Sequence, residues 1–289
     1  MEARSLELVS PRARLARAGM HGYAALIYLF LFAPIVLLVV LSFNASRFGG
    51  LPITGWTTHW YEVMWGDYQI QQALKTSLSL AGQVTLLSTV IGTMAAFPLV
   101  RAPLRFRNGL RLAFVLPVMI PGLLIGVSLL VLLTSVLHVR LSTQTAVIGQ
   151  TVYTTPFVLL IVAARLDGFD TRLERAAADL GAGPFRRILH VVLPLTAPAI
   201  LAGALFAFTL SLDEFIITLF LIGGHNTLPI YIYTQVRFGI TPEINALATL
   251  LLAASLTIAA LAFVLPGAIR RVSRRARGAR RARRSLESN

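Results

Sequence analysis

The sequence predicts an all-α, polytopic membrane protein with six transmembrane helices, and three observations carry that prediction. The first is composition: 56% of the 289 residues are hydrophobic and 13% charged, with a mean hydropathy of +0.74, whereas a soluble domain carries about a quarter charged residues. The second is segment length. A helix needs about 20 apolar residues to cross a bilayer core, and six uncharged stretches supply them: 24–43, 76–100, 112–137, 141–164, 191–212 and 246–266. The third is charge alternation. Segments 1–23, 98–111, 165–197 and 266–289 hold 22 of the 26 basic residues, while 44–73, 138–143 and 223–245 hold one each, Arg47, Arg140 and Arg237. Basic residues accumulate in cytoplasmic loops, so both termini are expected inside. The composition excludes an ordinary soluble enzyme and a disordered chain. With no cysteine there is no disulfide scaffold, thiolate metal site or cysteine nucleophile, and His21, His59, His138, His190 and His225 show no ligand spacing.

Each element follows in turn. Arginines precede the first stretch, as in a signal peptide, but it is long, contains Pro34 and lacks an A-x-A cleavage site, so a retained helix is expected. The loop 44–73 carries Trp56, Trp60, Tyr61, Trp65 and Tyr68, whose spacing suits a helix at the outer headgroup level; an aromatic cage for a cation is the alternative. Asn44-Ala45-Ser46 matches a glycosylation sequon by a pattern too short to carry weight. Pro117, Pro121, Gly122, Gly126 and Pro156 punctuate the third and fourth spans, breaks that neighbouring helices can satisfy. Gly82, Gly92, Gly203 and Ala207 allow close helix approach.

The fifth span is expected to enter the membrane near Pro198 and run to Ile222, with Asp213 and Glu214 inside it. At 1.5 Å per residue the acids lie about 22 Å in. A charge near the bilayer centre costs about 2.5–3.5 kcal/mol on insertion scales, so they should meet water, a partner or a cation. Adjacent helical positions point about 100° apart, which gives the two acids different surroundings. One reading is a cation contact or gate; the other is bonds to a partner subunit or local backbone. Nine arginines from Arg270 to Arg284 read as an orientation signal, with binding of RNA or anionic lipid as the alternative.

A transporter needs an energy source. The P-loop requires G-x-x-x-x-G-K-[ST], but the single lysine, Lys75, has no glycine before it. Either a partner hydrolyses ATP, or an ion gradient drives transport, or the protein is a channel.

The loop 165–197 reads as two short helices around a glycine turn. Asp170 or Thr171 can cap the first. Leu173, Ala176, Ala177 and Leu180 form a stripe at i, i+3, i+4 and i+7, Gly181 and Gly183 end it, and Pro184 opens the next helix. The stripe can pack on the chain's own spans or admit another protein. This loop resembles the EAA motif, E-A-A-x(3)-G-x(9)-I-x-L-P, of permease subunits in ATP-binding-cassette importers. Ala176-Ala177, Gly181 and Leu193-Pro194 match, Val191 replaces the isoleucine, and Arg175 occupies the glutamate position, with Glu174 one residue earlier.

The resemblance covers nearly the whole chain and is nearest to the spermidine/putrescine-type permeases, the second of the two in such systems. It rests on residues 42–48, Trp60-Tyr61, 208–215, 227–233 and 241–247. Such members often have an acid after the third-span proline, where this chain has Gly122. The resemblance implies a type I importer permease fold with a cytoplasmic segment 1–23, a permease domain 24–266 and an Arg-rich cytoplasmic tail 267–289. It implies a bacterial inner-membrane location, a sister permease, two ATPase subunits that bind ATP and Mg, and an extracytoplasmic binding protein. It implies no cofactor in this chain, no catalysis by it and no nucleic-acid partner, with lipid around it. Coupling to the ATPase then falls to Glu174, Arg175, Ala176, Ala177, Asp179, Leu180, Gly181 and Ala182, and the substrate pathway to Tyr153, Asp213, Glu214 and Phe215. Polyamines are the implied substrate; relatives with similar motifs carry iron, thiamine or phosphonates.

Overall fold

The computed structural model describes residues 11–101, 107–239 and 241–257, all helix and connecting loop. The chain divides into two compact units, residues 67–234 and residues 1–66 with 235–289.

In the first unit, α3 (Tyr68–Arg101), α6 (Thr143–Asp167) and α9 (Leu193–Asp213) pack on one another. The most hydrophobic window of α6 is 67% buried against 28% for α3, so α6 is the central helix. Close approach of α3 to α6 depends on Gly92: a side-chain carbon there would lie 2.9 Å from Val158 Cβ and 3.0 Å from the Leu159 backbone nitrogen. Gly203 of α9 likewise faces Val158, and Ala207 is fully buried, as the small-residue pattern predicts. A side-chain carbon at Gly82 would meet no other element within 4 Å among the described residues.

The expected third span is not straight. α4 (Arg107–Met119) and α5 (Gly122–Val131, continued by a π-helical turn to Val136) meet at an angle of 97°. Pro121, with ψ of 134°, lacks the N–H that would continue the helix and holds the chain in extended backbone. The expected fifth span is also interrupted. A short helix α8 (Pro184–Arg187) and a π-helical turn lead into α9, which stops at Asp213; Glu214 has ψ of 117°, and α10 (Ile216–Leu221) follows. The uninterrupted helix to Ile222 is therefore corrected, and so is the adjacent helical placement of the two acids.

Among the described residues four helical spans, Gly19–Leu41, Tyr68–Arg101, Thr143–Asp167 and Pro184–Asp213, are long and apolar enough to cross a membrane, and the bent pair passes the same test taken together. The expected sixth stretch begins in α12 (Pro242–Thr257), the last helix of the chain to be described after α11 (Leu228–Phe238). Its remainder, 258–266, lies outside the described residues, as does the basic tail.

In the second unit, α1 (Pro11–Leu41) turns its apolar surface outward: its hydrophobic window is 6% buried. The loop after it is built around Asn44, which is fully buried. Asn44 Nδ2 donates to the carbonyls of Gly50 (2.8 Å) and Pro52 (3.1 Å), and Oδ1 accepts from the backbone N–H of Ser46 (3.2 Å) and Thr54 (3.0 Å). The sequon asparagine is thus an internal scaffold. The expected aromatic helix shortens to α2 (His59–Gly66). Trp60 is buried and donates from Nε1 to the Asn44 carbonyl at 2.7 Å, and the Tyr61 hydroxyl lies 2.7 Å from Ser42 Oγ. Trp56 and Trp65 remain exposed, as does Tyr68 at the start of α3 in the first unit.

Candidate functional site

Two places carry the chemistry: the α7–α8 loop and the break between α9 and α10. In the loop, Asp170 Oδ1 accepts the Arg172 N–H at 2.9 Å and starts α7 (Arg172–Asp179). Thr171, the other expected cap, sits in helical backbone and makes no side-chain cap bond. At the far end Gly181 N–H donates to Ala178 (2.8 Å) and Ala182 N–H to Ala177 (3.0 Å). This pairing is the Schellman arrangement, which requires a left-handed residue between helix and exit. Gly181 supplies it with φ of +82°. Gly183 is extended and Pro184 opens α8.

No residue of α7 is buried. Arg175, Ala176, Asp179 and Gly181 are exposed, Ala177 and Ala182 half-buried, and Leu180 is 88% exposed, followed by Phe185 at 76%. The alternative that the stripe packs on the chain's own spans does not hold for its two leucines, because Leu173 is also exposed. Glu174 differs from its neighbours. It turns inward and forms an ion pair with Arg101, the last residue of α3. Arg101 in turn lies over the rings of Phe169 (5.1 Å) and Phe97 (5.9 Å). Other arginines of the same end tie helices together: Arg111 pairs with Asp167 at 3.7 Å, and Arg165 donates to the Leu195 carbonyl at 3.2 Å.

At the break, Glu214 closes on the helix it precedes. Its carboxylate accepts the backbone N–H of Ile217 (2.8 Å) and Thr218 (2.9 Å) and the Thr218 hydroxyl (2.7 Å). An acid at a helix N-terminus satisfies donors that have no intrahelical partner. The network continues into α6: Gln150 Nε2 donates to Thr218 Oγ1 at 2.6 Å, and Ser211 Oγ donates to Gln150 Oε1. Thr145, also of α6, donates to the Leu221 carbonyl at 2.6 Å. The residues of this chain are buried apart from Glu214 itself, which is half-buried.

Asp213 takes no part in it. Its carboxylate is exposed and makes no hydrogen bond or ion pair among the described residues. The four expected pathway residues, Tyr153, Asp213, Glu214 and Phe215, come together with Gly122, Leu210 and Ile216 around one open cavity of about 380 Å³. Phe215 also packs on Tyr233 with ring centroids 4.8 Å apart, and Tyr153 on Phe157 at 5.7 Å. Among the described residues no cluster of acids and histidines could hold a metal ion.

Sequence reasoning missed Gln150, Thr145, Ser211 and Thr218. Gln150 left a signal, an amide in the middle of an otherwise apolar span. It missed Arg101 and Phe169 as well, and the partnership of Arg101 with Glu174 left none.

Residues 88–278, which include both places, match the family described as binding-protein-dependent transport system inner membrane component. The chain belongs to this family. It is therefore a multi-pass inner-membrane permease subunit of an importer, a non-catalytic component. The permease is 37% identical over 238 residues to the spermidine/putrescine transport system permease protein PotC of Escherichia coli K12, covering 82% of this chain and 89% of that one. It is 37% identical over 265 residues to the putrescine transport system permease protein PotI of the same strain, covering 89% and 93%. In fold it is similar to a chain of the bacterial alginate ABC transporter solved with an alginate pentasaccharide-bound periplasmic protein. There the TM-score is 0.68 at 16% identity, covering 89% of this chain and 94% of that one.

Proposed function

We propose that this permease forms half of the pathway of a polyamine importer, paired with a sister permease and powered by two ATPase subunits that bind ATP and Mg. In this reading α7 and Leu180 dock in a groove of one ATPase, and an extracytoplasmic binding protein delivers the substrate. Both termini face the cytoplasm, with 1–23 and 267–289 flanking the permease domain 24–266. The docking role is supported by Leu173 and Leu180 of α7, which stay exposed among the described residues, and by its glycine-capped end. The substrate is supported by the names of PotC and PotI and by one feature of the cavity: Asp213 offers an unengaged carboxylate beside the rings of Tyr153 and Phe215, a setting that attracts an ammonium group.

That carboxylate carries the proposal. The test is uptake of radiolabelled spermidine and putrescine by proteoliposomes holding the full importer, with binding protein and ATP–Mg supplied. Binding-protein-dependent uptake of either is expected; an importer that ignores both and moves another solute would end the polyamine reading. Orientation is checked by single cysteines, since the chain has none of its own. Thr58→Cys and Asn226→Cys should react with an impermeant thiol reagent from outside, and Ala279→Cys should not. One observation favours a second reading, import of a different small solute: Gly122 lines the cavity where the resemblance leads one to expect an acid, so among the described residues Asp213 is its one carboxylate without a bond, for a substrate with two or more positive groups.

A further inference from the structure

We infer that the Arg101–Glu174 ion pair is the joint through which movement of α7 reaches α3. The inference rests on the reading that α7 is the ATPase-docking helix. A force on α7 reaches α6 and α9 along the backbone, because α7 follows α6 after a short loop and leads through α8 into α9. α3 has no such covalent link. α7 packs mainly against α8 and the π-helical turn after it, and it reaches α3 through the pair of Glu174 with the terminal residue of that helix.

The pair is built to persist. The side chains of Arg101 and Glu174 are 26% and 19% exposed, so solvent screens the pair less than a fully exposed one. Arg101 is held over Phe169, a buried residue just before α7, and over Phe97 of its own helix. The guanidinium plane can stack and pair at once, which an ammonium cannot do. α3 packs along α6 and α9, so a pull at Arg101 acts on the helix that closes the core. The displaced motif glutamate thereby acquires a role inside the permease, and Arg175 is left facing outward in its place.

The test uses the complete importer in proteoliposomes and reads ATP hydrolysed per spermidine or putrescine imported, per assembled complex. The variants are Glu174→Gln, which keeps shape and removes charge, and the exchange of Arg101→Glu with Glu174→Arg. Leu180→Cys, cross-linked to the ATPase, reports docking separately. With docking intact, Glu174→Gln is expected to raise the ATP-to-substrate ratio about tenfold, within the range of couplings between two sites, and the exchange to bring it back toward the original value. An unchanged ratio in Glu174→Gln, including uptake that falls only as assembly falls, overturns the joint, because a merely structural pair would behave that way. If Glu174→Gln does not assemble, the exchange decides: coupled transport supports the joint and uncoupled transport or no assembly overturns it. Loss of the Leu180→Cys cross-link, by contrast, removes the docking reading itself.

Discussion

Two places in this permease set charged residues side by side and treat them differently. At 174–175, Glu174 turns in to Arg101 while Arg175 faces out; at 213–214, Glu214 binds the start of α10 while Asp213 lies exposed at the cavity with no hydrogen bond or ion pair among the described residues. In each pair one charge is engaged within the chain and its neighbour is left for something else. The surroundings differ more. The α9–α10 break is a closed polar network, with Glu214, Thr218, Gln150 and Ser211 satisfying one another. The α7–α8 loop is closed only along its backbone, and its apolar side chains Leu173, Leu180 and Phe185 stay uncovered. A closed network holds a shape without help, whereas exposed leucines on a short helix are what the proposed docking would cover.

This contrast can be broken most severely at Glu214. Glu214→Ala strands two backbone N–H groups and weakens the hold on Thr218 and Gln150. Each buried group left unpaired costs about 1–3 kcal/mol, so a marked drop in the thermal stability of the purified permease is expected. Glu214→Gln, which keeps an acceptor, should lose much less. Equal stability of Glu214→Ala and the parent would show that the network does not hold the break.

The loop should respond in its partner rather than in itself. Gly181→Leu places a side chain at φ of +82°, at a cost of about 1–2 kcal/mol for the left-handed conformation. It should leave the permease inserted while lowering ATPase co-purification and uptake; normal values of both would remove the loop from the coupling route. The smallest effect on folding belongs to Leu180→Ser. At an exposed site the change in stability should stay within about 0.5 kcal/mol, yet ATPase co-purification should fall. A variant that loses stability but keeps its partner would mean that Leu180 serves the fold.

The spans were legible because lipid demands long apolar runs and charge alternation orders the loops, and each expected stretch is mainly helical where it is described, the third with a break at 120–121. The interruptions were not legible to the same degree. Pro121 announced a break but not a 97° bend, since a proline in a membrane helix can also be absorbed as a kink. The stop at Asp213 lay hidden in an apolar run, because Glu214 reaches only three and four residues ahead to cap α10, well within one span. The glycine turn and Pro184 were readable since their backbone demands are local. The Arg101–Glu174 contact was not, because it joins residues far apart in sequence whose chemistry, an arginine near a membrane end and an acid on a short helix, is ordinary at either place. The aromatic loop was read by its residue types, but its centre is Asn44, whose bonds to Gly50, Pro52 and Thr54 depend on a loop shape no pattern specifies.

We propose Asp213, and not Glu214, as the charge offered to the substrate. The direct measurement is uptake of spermidine and putrescine by the assembled importer carrying Asp213→Asn, beside Asp213→Ala. The amide keeps size and hydrogen bonding and removes the charge. An ammonium held by a carboxylate in a partly screened cavity implies a loss of about tenfold or more, on the order of the 1.5–3 kcal/mol of a hydrogen bond to a charged group. That loss is expected in Asp213→Asn, nearly as large as in Asp213→Ala, with assembly and thermal stability unchanged. Transport at the normal rate by Asp213→Asn would contradict it.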